Sequence, residues 1–479
     1  MLSTPGQMAL WEQIPLAEMF REPFDAVIAN PPYVRTQVLG TGKSRRLAER
    51  FRLRGKVDLY QAFLVAMTQV LRPGGVLGVI TSNRFLTTDG AATIREFLAT
   101  QYEVCEIIDL GDTKVFAAAV LPAVLIGKRR ETVKRSGHLG AARFIKVYME
   151  SGTDGALEST PSASLGEVLS RGSAGTYQVP EGTLRVTTGQ LSLGDDLRRV
   201  WSLASASEEE WVRRVRAGSA GVFGDVSHVR VGIKTTADRV FIRSDWHTLP
   251  EALQPEDPLL RPLLRHENAQ RWRRRDEGER YRVLYPHEVS GGHRRAVDLS
   301  LYPKARAYLE SHRDRLEKRR YVTQSGRQWY EIWVPHDPQA WAAPKIVFPD
   351  ISPEPRFFLD CDGNVVDGDC YWIRLRAGIP PDLLYLLLAV SNSRLMTKFH
   401  DIVFNNRLYA GRRRYITQYV SRYPFPPPDT PTSREIVRLA KALVSEMSFP
   451  APRADIEVVE DRLNALVEKA FGLTPGERP

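Results

Sequence analysis

The sequence predicts an α/β fold, followed by a second, larger α+β region and by C-terminal helices. Three observations support this prediction. Over residues 1–132, short apolar runs alternate with amphipathic runs, as expected for a sheet with helices on both faces. From about residue 201, β-like runs mix with clusters of arginine and aromatic residues. After residue 430, two long runs carry apolar residues at helical spacing.

The elements of the first region follow one another in a regular order. Residues 24–29 form an apolar run typical of a parallel strand that is buried on both faces. Residues 58–71 have the apolar spacing of a helix, which Asp58 can cap. A strand, a helix and two further strands are predicted at residues 76–81, 91–102, 104–110 and 123–129.

The chain has 479 residues, too many for a single core. Its composition divides it into an α/β region (1–132), a linker rich in Gly, Ser and Thr (133–200), a second domain (201–430) and a helical segment (431–479). The three cysteines form no CxxC pair, which favours a reducing, cytoplasmic compartment. No apolar run has the length needed to cross a bilayer, and the scattered histidines predict no metal site.

The formal net charge of +10 and the isoelectric point of about 9.5 have two interpretations. Such a charge can serve solubility alone. It can also mark a surface for nucleic acid, and the positions of the arginines then decide between the two.

Asn30, Pro31, Pro32 and Tyr33 directly follow the first predicted strand, whose carboxyl end faces the crevice where α/β proteins bind ligands. The Asn30 amide oxygen and the Pro31 carbonyl are two hydrogen-bond acceptors. The two prolines keep the turn stiff, and because proline has no N–H, no donor competes at these positions. The two acceptors can accept both N–H groups of an exocyclic amine while Tyr33 stacks on its ring. An amine held in this way can attack a methyl group in line. A plain strand-end turn is the alternative.

Asn30 to Tyr33 resemble the hallmark of the amino-group DNA methyltransferases, in particular the N6-adenine enzymes with a C-terminal target-recognition domain. The resemblance continues in order through residues 58–63, 71–86, 110–129, 231–242 and 460–474. It implies a Rossmann-like sheet, S-adenosylmethionine as cofactor and a catalytic role for Asn30, Pro31, Pro32 and Tyr33. It also implies that double-stranded DNA is bound and an adenine flipped out of it, in restriction-modification or phage defence.

The resemblance also assigns contacts to the cofactor and the target base. Pro32 and Phe63 match positions that wall the cofactor pocket, and Phe116 matches a position that packs, like Tyr33, against the flipped base. The family binds its cofactor with a glycine-rich strand–loop–helix, but the residues before Phe24 contain no G-x-G. We therefore expect a partial methyltransferase sheet. Either a second polypeptide completes its cofactor site, or the reading frame is truncated, or the enzyme is defective.

Basic residues after the catalytic motif and in two arginine–aromatic runs, residues 271–282 and 405–423, are candidates for DNA contact. Arginine forks suit phosphate oxygens and guanine edges. Ordinary solvated or ion-paired surface is the alternative for each of them. Residues 40–44 resemble the tail of a phosphate-binding loop, but Gln37 breaks that pattern, so a flexible basic loop is expected there. The candidates are Lys43, Arg45, Arg46, Lys234, Thr235, Arg271, Arg273, Arg274, Arg407, Arg412, Arg413 and Arg414.

Two other functions remain open. The same pair of acceptors serves the amide of a protein glutamine or the amino group of an RNA guanine, although the arginine-rich extension after residue 200 favours a nucleic acid. The chain can also be a DNA-recognition subunit whose methyltransferase half is vestigial. No nuclease signature is visible, so cleavage is not expected.

Overall fold

A computed structural model describes residues 20, 22–55, 57–111, 113, 121–133, 140–149, 163–193, 196–275, 278–404, 411–446 and 453–477. The chain divides into two units. The first comprises Met1–Glu210 and Asp401–Gly411, and the second comprises Trp211–His400 and Arg412–Pro479. These boundaries differ from those predicted at residues 132, 200 and 430.

The first unit contains seven named strands and the helices that connect them. The strands are β1 (Phe24–Ala29), β2 (Leu71–Ser82), β3 (Tyr102–Asp109), β4 (Pro122–Arg129), β5 (Ala141–Met149), β6 (Gly175–Val179) and β7 (Gly182–Ser192). The helices are α1 (Thr36–Leu39), α2 (Thr41–Arg50), α3 (Leu59–Val70), α4 (Arg84–Thr87), α5 (Ala92–Gln101) and α6 (Leu165–Arg171).

All seven strands belong to one mixed sheet with the order β1-β2-β4-β3-β5-β7-β6. Strand β1 is parallel to β2, and β4 runs antiparallel to both of its neighbours, β2 and β3. The carboxyl ends of β1, β2 and β3 therefore lie at the same edge of the sheet. This arrangement confirms the predicted α/β class.

The prediction that residues 24–29 are buried on both faces is wrong. Strand β1 is the terminal strand of the sheet and pairs only with β2 among the described residues. Its side chains are largely exposed, and Ile28 is 91% exposed. The apolar run was interpreted as a central strand, but no described element packs on its outer side.

The region predicted as a linker at residues 133–200 contains three strands of the same sheet. Strand β5 pairs in parallel with β3, and β7 pairs antiparallel with both β5 and β6. Ile145, Val147, Val168, Leu184 and Val186 form a small buried core beneath them. The high content of Gly, Ser and Thr hid these strands because their pairing, and not their composition, stabilises them.

The main core of the first unit forms where α3, α4 and α5 pack on the sheet. Leu64 of α3, Phe85 of α4 and Ile94 of α5 are fully buried in the same cluster as Leu77 of β2. Asp58 occupies the N-cap position of α3 as predicted, but its side chain makes no capping bond there. The apolar periodicity therefore predicted α3 and α5 correctly, whereas α4 was not predicted and the side chain of Asp58 has another role.

From residue 206 onwards, short strands and helices alternate. The strands are β8 (Gly221–Val222), β9 (Ser227–Val231), β10 (Ile242–Arg243), β11 (Leu260–Leu264), β12 (Arg282–Leu284), β13 (His287–Ser290), β14 (His293–Ala296), β15 (Lys345–Pro349), β16 (Ile351–Ser352), β17 (Phe358–Asp360), β18 (Val365–Val366), β19 (Cys370–Leu375), β20 (Arg413–Arg414) and β21 (Pro424–Phe425). The helices are α7 (Ala206–Ala217), α8 (Phe223–Val226), α9 (Asp238–Phe241), α10 (Pro303–Ser311), α11 (Arg313–Glu317), α12 (Arg320–Thr323), α13 (Leu383–Asn392), α14 (Arg394–Phe404), α15 (Thr417–Val420), α16 (Pro431–Glu446) and α17 (Arg453–Ala470).

Two four-stranded sheets organise the second unit, with the orders β17-β15-β19-β9 and β10-β12-β11-β18. The rings of Trp341 and Trp372 lie 4.9 Å apart in the core that both sheets share. The two C-terminal helices predicted from periodicity are present as α16 and α17, and Gly472, with φ of 73°, follows the second. None of the helices in the described ranges is long and apolar enough to span a lipid bilayer.

A buried ion pair lies in the core of the second unit. Lys345 Nζ lies 2.5 Å from Asp360 Oδ2, and the two side chains are 0% and 1% exposed. Nζ also donates to the carbonyl of Trp341, and the Asn364 side chain donates to Asp360 Oδ1. Every charge in this pair is therefore hydrogen-bonded, which is the condition under which burial is tolerated.

Strands β13 and β14 form a hairpin that is a separate two-stranded sheet. At its base, the buried His287 accepts the N–H of Ile332 through Nε2 at 3.1 Å. Burial lowers the pKa of His287 to about 3, and the nearby Arg294 and Arg327 lower this pKa further. The imidazole is therefore neutral at physiological pH.

Substitution of Asp360 by Ala should lower the free energy of unfolding by about 3–5 kcal/mol, because Lys345 is left charged and buried without its partner. Urea unfolding followed by circular dichroism measures the change. The matched control is Asp362→Ala, since Asp362 is 67% exposed in its ion pair with Arg274. This variant should lose less than about 1 kcal/mol. Equal losses in the two variants would contradict the role assigned to the buried pair.

The free energy of unfolding should fall as the pH drops below about 6.5, because His287 takes up a proton in the unfolded chain well before it does so in the fold. This contribution is fully present above pH 6.5 and is lost towards pH 3, with a slope of about 1.4 kcal/mol per pH unit. His287→Gln should remove that part of the slope. Urea titrations of both proteins between pH 7.5 and pH 4 measure it, and parallel curves would refute the assignment.

Candidate functional site

The Asn-Pro-Pro-Tyr segment lies at the carboxyl end of β1, as the sequence predicts. Asn30 follows the last residue of the strand, and its side chain is exposed. No described donor bonds to the side chain of Asn30 or to the carbonyl of Pro31. Both oxygens are therefore available as acceptors at the sheet edge.

The turn itself is held by contacts on either side. Pro31 is buried, and Tyr33 is half-buried with its hydroxyl donating to the Ile80 carbonyl of β2 at 3.3 Å. Burial raises the pKa of Tyr33, so its hydroxyl stays protonated and remains a donor. The N–H of Val34 bonds to the Pro32 carbonyl at 3.1 Å. These bonds fix the position of the tyrosine ring relative to β2.

Asp58 ties this turn to the start of α3. Its Oδ1 accepts both the N–H and the hydroxyl of Thr36, at 2.8 and 3.0 Å. Its Oδ2 lies 3.7 Å from Arg84 Nε at the start of α4. The carboxylate that was predicted to cap a helix therefore anchors the segment that follows the catalytic motif.

A second polar group at the same sheet edge escaped the sequence-based prediction. Asp109 ends β3 and is fully buried, and its oxygens accept bonds from Asn83 Nδ2 (3.3 Å), Gly111 N (3.1 Å) and the Tyr148 hydroxyl (2.8 Å). Asn83 follows β2 directly, as Asn30 follows β1. The same signal, a polar residue straight after an apolar run, could have identified both Asn83 and Asp109.

The residues assigned to the cofactor and the target base have different surroundings. Pro32 is exposed, whereas Phe63 is half-buried against the main core of the first unit. Phe116 lies outside the described residues. Among the residues that the structure describes, no group of His, Cys, Asp or Glu side chains could hold a metal ion.

The basic segment after the motif is a helix and not the flexible loop that was expected. Lys43, Arg45 and Arg46 lie exposed on α2, and Arg45 pairs with Glu49 one turn away. Ser44 is buried, where its hydroxyl bonds to both the N–H and the carbonyl of Val57. The helix therefore resembles no phosphate-binding loop, but it presents its cations to solvent.

Lys234 and Thr235 are adjacent in sequence but differ in their exposure to solvent. Lys234 is exposed, and its backbone pairs with that of Val334. Thr235 is only 1% exposed, and its hydroxyl bonds to Asp238 and accepts the N–H of Ala237. Because this hydroxyl closes the start of α9, the contact with DNA that was expected of the Thr235 side chain is not compatible with the structure.

The first arginine–aromatic run is largely occupied with internal contacts. Arg271 lies 3.2 Å from Glu460 of α17, and Trp272 is buried with its indole N–H bonded to the same carboxylate. Arg274 pairs with Asp362 at 2.9 Å. Arg273 is exposed and donates to Gln270. Arg271 and Arg274 therefore fit the alternative interpretation, an ion-paired surface, better than the interpretation as DNA-binding residues.

The second run divides in the same way. Arg414 makes a two-pronged bond to Asp350, at 3.0 and 2.9 Å. Arg413 is buried and donates to the Pro353 carbonyl at 2.5 Å. Arg412 is exposed, and Arg407 lies outside the described residues. Of the candidate arginines of this run that the structure describes, Arg412 is the exposed one and remains a candidate for DNA contact.

Comparisons with known proteins show which proteins this chain is similar to. The profile of the family described as Eco57I restriction-modification methylase matches residues 6–116. The type II methyltransferase M.BanIII of Aneurinibacillus aneurinilyticus is 43% identical over 453 residues, covering 94% of this chain and 77% of that relative. M.BstVI of Geobacillus stearothermophilus, also a type II methyltransferase, is 24% identical, with 92% and 76% covered.

A solved structure shares the fold over the whole chain. It is the type IIL restriction-modification enzyme MmeI in complex with DNA, with a TM-score of 0.62 and 14% identity. The match covers 100% of this chain, which spans 57% of that one.

Arg414 in β20 and Arg412, which precedes β20, should respond differently to substitution by alanine. Arg414→Ala removes a two-pronged bond to a carboxylate and should lower the free energy of unfolding by about 1–3 kcal/mol. Arg412→Ala should leave stability within about 0.5 kcal/mol, weaken DNA binding and reduce its salt dependence by about one counterion. Urea unfolding and binding at several salt concentrations separate the two effects. The reverse pattern would show that the assignment of the two residues is exchanged.

Proposed function

Because the chain belongs to the type II DNA methyltransferases of restriction-modification systems, we propose that it methylates the N6 amino group of an adenine within a specific sequence of double-stranded DNA. The observation that carries this proposal is the exposed Asn30 amide beside the Pro31 carbonyl, both without a described donor. An exocyclic amino group is the ligand that satisfies two such acceptors together.

The chemistry follows from these two oxygens. Asn30 Oδ1 and the Pro31 carbonyl accept the two N–H groups of the amine, which turns the nitrogen lone pair away from the base ring. The acceptors are fixed beforehand by the end of β1 and by two prolines, so little reorganisation is needed during the reaction. The product loses its extra proton to solvent, and therefore no strong base has to act first.

Tyr33 supports the flipped base. Its ring is held by the bond from its hydroxyl to Ile80, and one face can stack on the adenine. Stacking of a base on an aromatic side chain contributes about 1–3 kcal/mol. This is comparable to the few kcal/mol needed to unstack and unpair a base. Phe116 is proposed as the second base contact from the resemblance alone.

S-adenosylmethionine, when bound, supplies the methyl group. Pro32, which is exposed beside Asn30, and Phe63 on α3 are proposed to form one wall of its site. We propose that a second polypeptide supplies the remaining wall through a strand that pairs with β1. The terminal position of β1 and the exposure of Phe24 (41%) and Ile28 (91%) support this pairing.

The same open edge also favours a second candidate function. A chain that offers one wall of the cofactor site can act as a DNA-recognition subunit without activity of its own. The two candidates differ in one measurable property, which is methyl transfer in the presence of the completing polypeptide.

Asn30→Ala should lower the rate of methyl transfer by at least about 100-fold, since it removes one of two fixed dipoles at the reacting nitrogen. The assay mixes the chain with labelled S-adenosylmethionine and duplex DNA, with and without the protein encoded by the neighbouring reading frame. Mass spectrometry of the DNA then distinguishes N6-methyladenine from a methylated cytosine. The dissociation constant for DNA should change less than about threefold, because Asn30 makes no phosphate contact.

Gln324→Ala is the control for loss of an exposed amide, since Gln324 is an exposed residue of the second unit. It should retain full activity. Methyl transfer by Asn30→Ala at the wild-type rate would refute the role of the amide. An inactive wild type that binds DNA specifically with both proteins present would support the recognition subunit instead.

A further inference from the structure

The β13–β14 hairpin is a short ribbon with an open tip. Gly291 and Gly292 form its turn with φ of 59° and 76°, a backbone conformation that suits glycine. A Cβ atom added at either glycine would meet no described atom within 4 Å. The tip is therefore not packed against the rest of the described second unit.

One side of the hairpin borders a cleft of about 710 Å³. The rest of the lining comes from residues 326–328, 330 and 331. Three arginines and three acidic residues line the cleft, so that their formal charges cancel: Arg294, Arg295, Arg327, Glu288, Asp298 and Glu331. A surface that only binds phosphates would be expected to be uniformly basic, and this cleft offers donors and acceptors together.

The two walls of the cleft are held in place by hydrogen bonds. His287 at the base of the hairpin accepts the N–H of Ile332. The Tyr330 hydroxyl donates to the Val297 carbonyl at 2.8 Å. Arg327 donates to the carbonyls of Ile332 and Trp333, and its guanidinium lies 5.0 Å from the Trp333 ring centre. The cleft is therefore organised before any ligand arrives.

Arg294 differs from the other two arginines of the cleft. Arg295 pairs with Glu288 across the hairpin at 2.7 Å, and Arg327 is occupied by carbonyl oxygens. Arg294 is exposed, and it makes no hydrogen bond or ion pair with any described residue. Its guanidinium fork is free for a partner that can accept two bonds.

We propose that the β13–β14 hairpin enters the major groove of DNA and that Arg294 reads the guanine of a G·C pair, which makes it a specificity-determining residue. The proposal rests on the proposed function in one respect, that duplex DNA is the substrate. The major groove admits a two-stranded ribbon, and guanine presents O6 and N7 there as paired acceptors for an arginine fork. The cytosine amine on the same pair is a donor that a cleft carboxylate can accept.

The test selects bound duplexes from a random pool with the full chain, and with its completing polypeptide where one is required. Arg294→Ala should lose about 10- to 100-fold of the preference for G·C at one position of the selected sequence. Arg294→Lys should relax the same position while keeping the salt dependence, because lysine retains the charge without the fork. The control is Arg315→Ala on α11, where Arg315 is likewise exposed and has no described partner. It should keep the wild-type preference.

Several outcomes would overturn the inference. The first is an unchanged base preference in both Arg294 variants. The second is that the wild-type protein selects no preferred sequence from the pool. The third is that the Arg294 variants bind all sequences more weakly to the same degree, with a salt dependence lower by about one counterion, which indicates a phosphate contact. Methylation is measured on the selected duplexes separately. A wild type that selects a sequence but transfers no methyl group would refute the proposed function and leave the inference standing.

Discussion

The parallel pairing of β1 with β2 is the constraint on which the candidate site depends. In the register that sets Ala29 opposite Val79, β1 ends at Ala29, so the two acceptors at Asn30 and Pro31 follow at the sheet edge. Proline at the following two positions removes the N–H groups that would otherwise satisfy those oxygens locally. The Tyr33 hydroxyl then bonds to β2 itself, so the aromatic ring and the two acceptors are positioned by the same pair of strands.

The contacts of each arginine, and not the net charge of the chain, indicate which arginines are available to bind DNA. The formal net charge of +10 invites the interpretation that arginine-rich runs bind DNA. Yet Arg271, Arg274 and Arg414 pair with carboxylates of the second unit, and Arg413 is buried against a carbonyl. An exposed arginine such as Arg294, whose side chain pairs with no described residue, is better placed to meet a ligand than the paired arginines of these runs.

Periodicity predicted the helices α3, α5, α16 and α17 and the strands β2 to β4, because each depends on a local apolar pattern. It failed where partners are distant in sequence. Strands β5 and β7 are stabilised by pairing with each other, and the exposure of β1 depends on what lies beside it. The motif Asn30–Tyr33 was predictable because its four residues are consecutive in the sequence. The bonds of Asp58 to Thr36 and of Asp109 to Tyr148 were not, since they join separate elements.

Among the described strands, β1 has no neighbour on its outer side, and this has a thermodynamic consequence for the proposed partner. Covering a side chain the size of Ile28 contributes about 1.5–3 kcal/mol, and each backbone hydrogen bond to the edge adds about 0.5–1.5 kcal/mol. A strand of ordinary length therefore supplies enough free energy to associate specifically, provided that its apolar residues match the exposed positions. Since Asn30 follows directly after β1, a strand that pairs with β1 would lie beside the acceptor pair. The proposed pairing would therefore complete the sheet and the proposed site together.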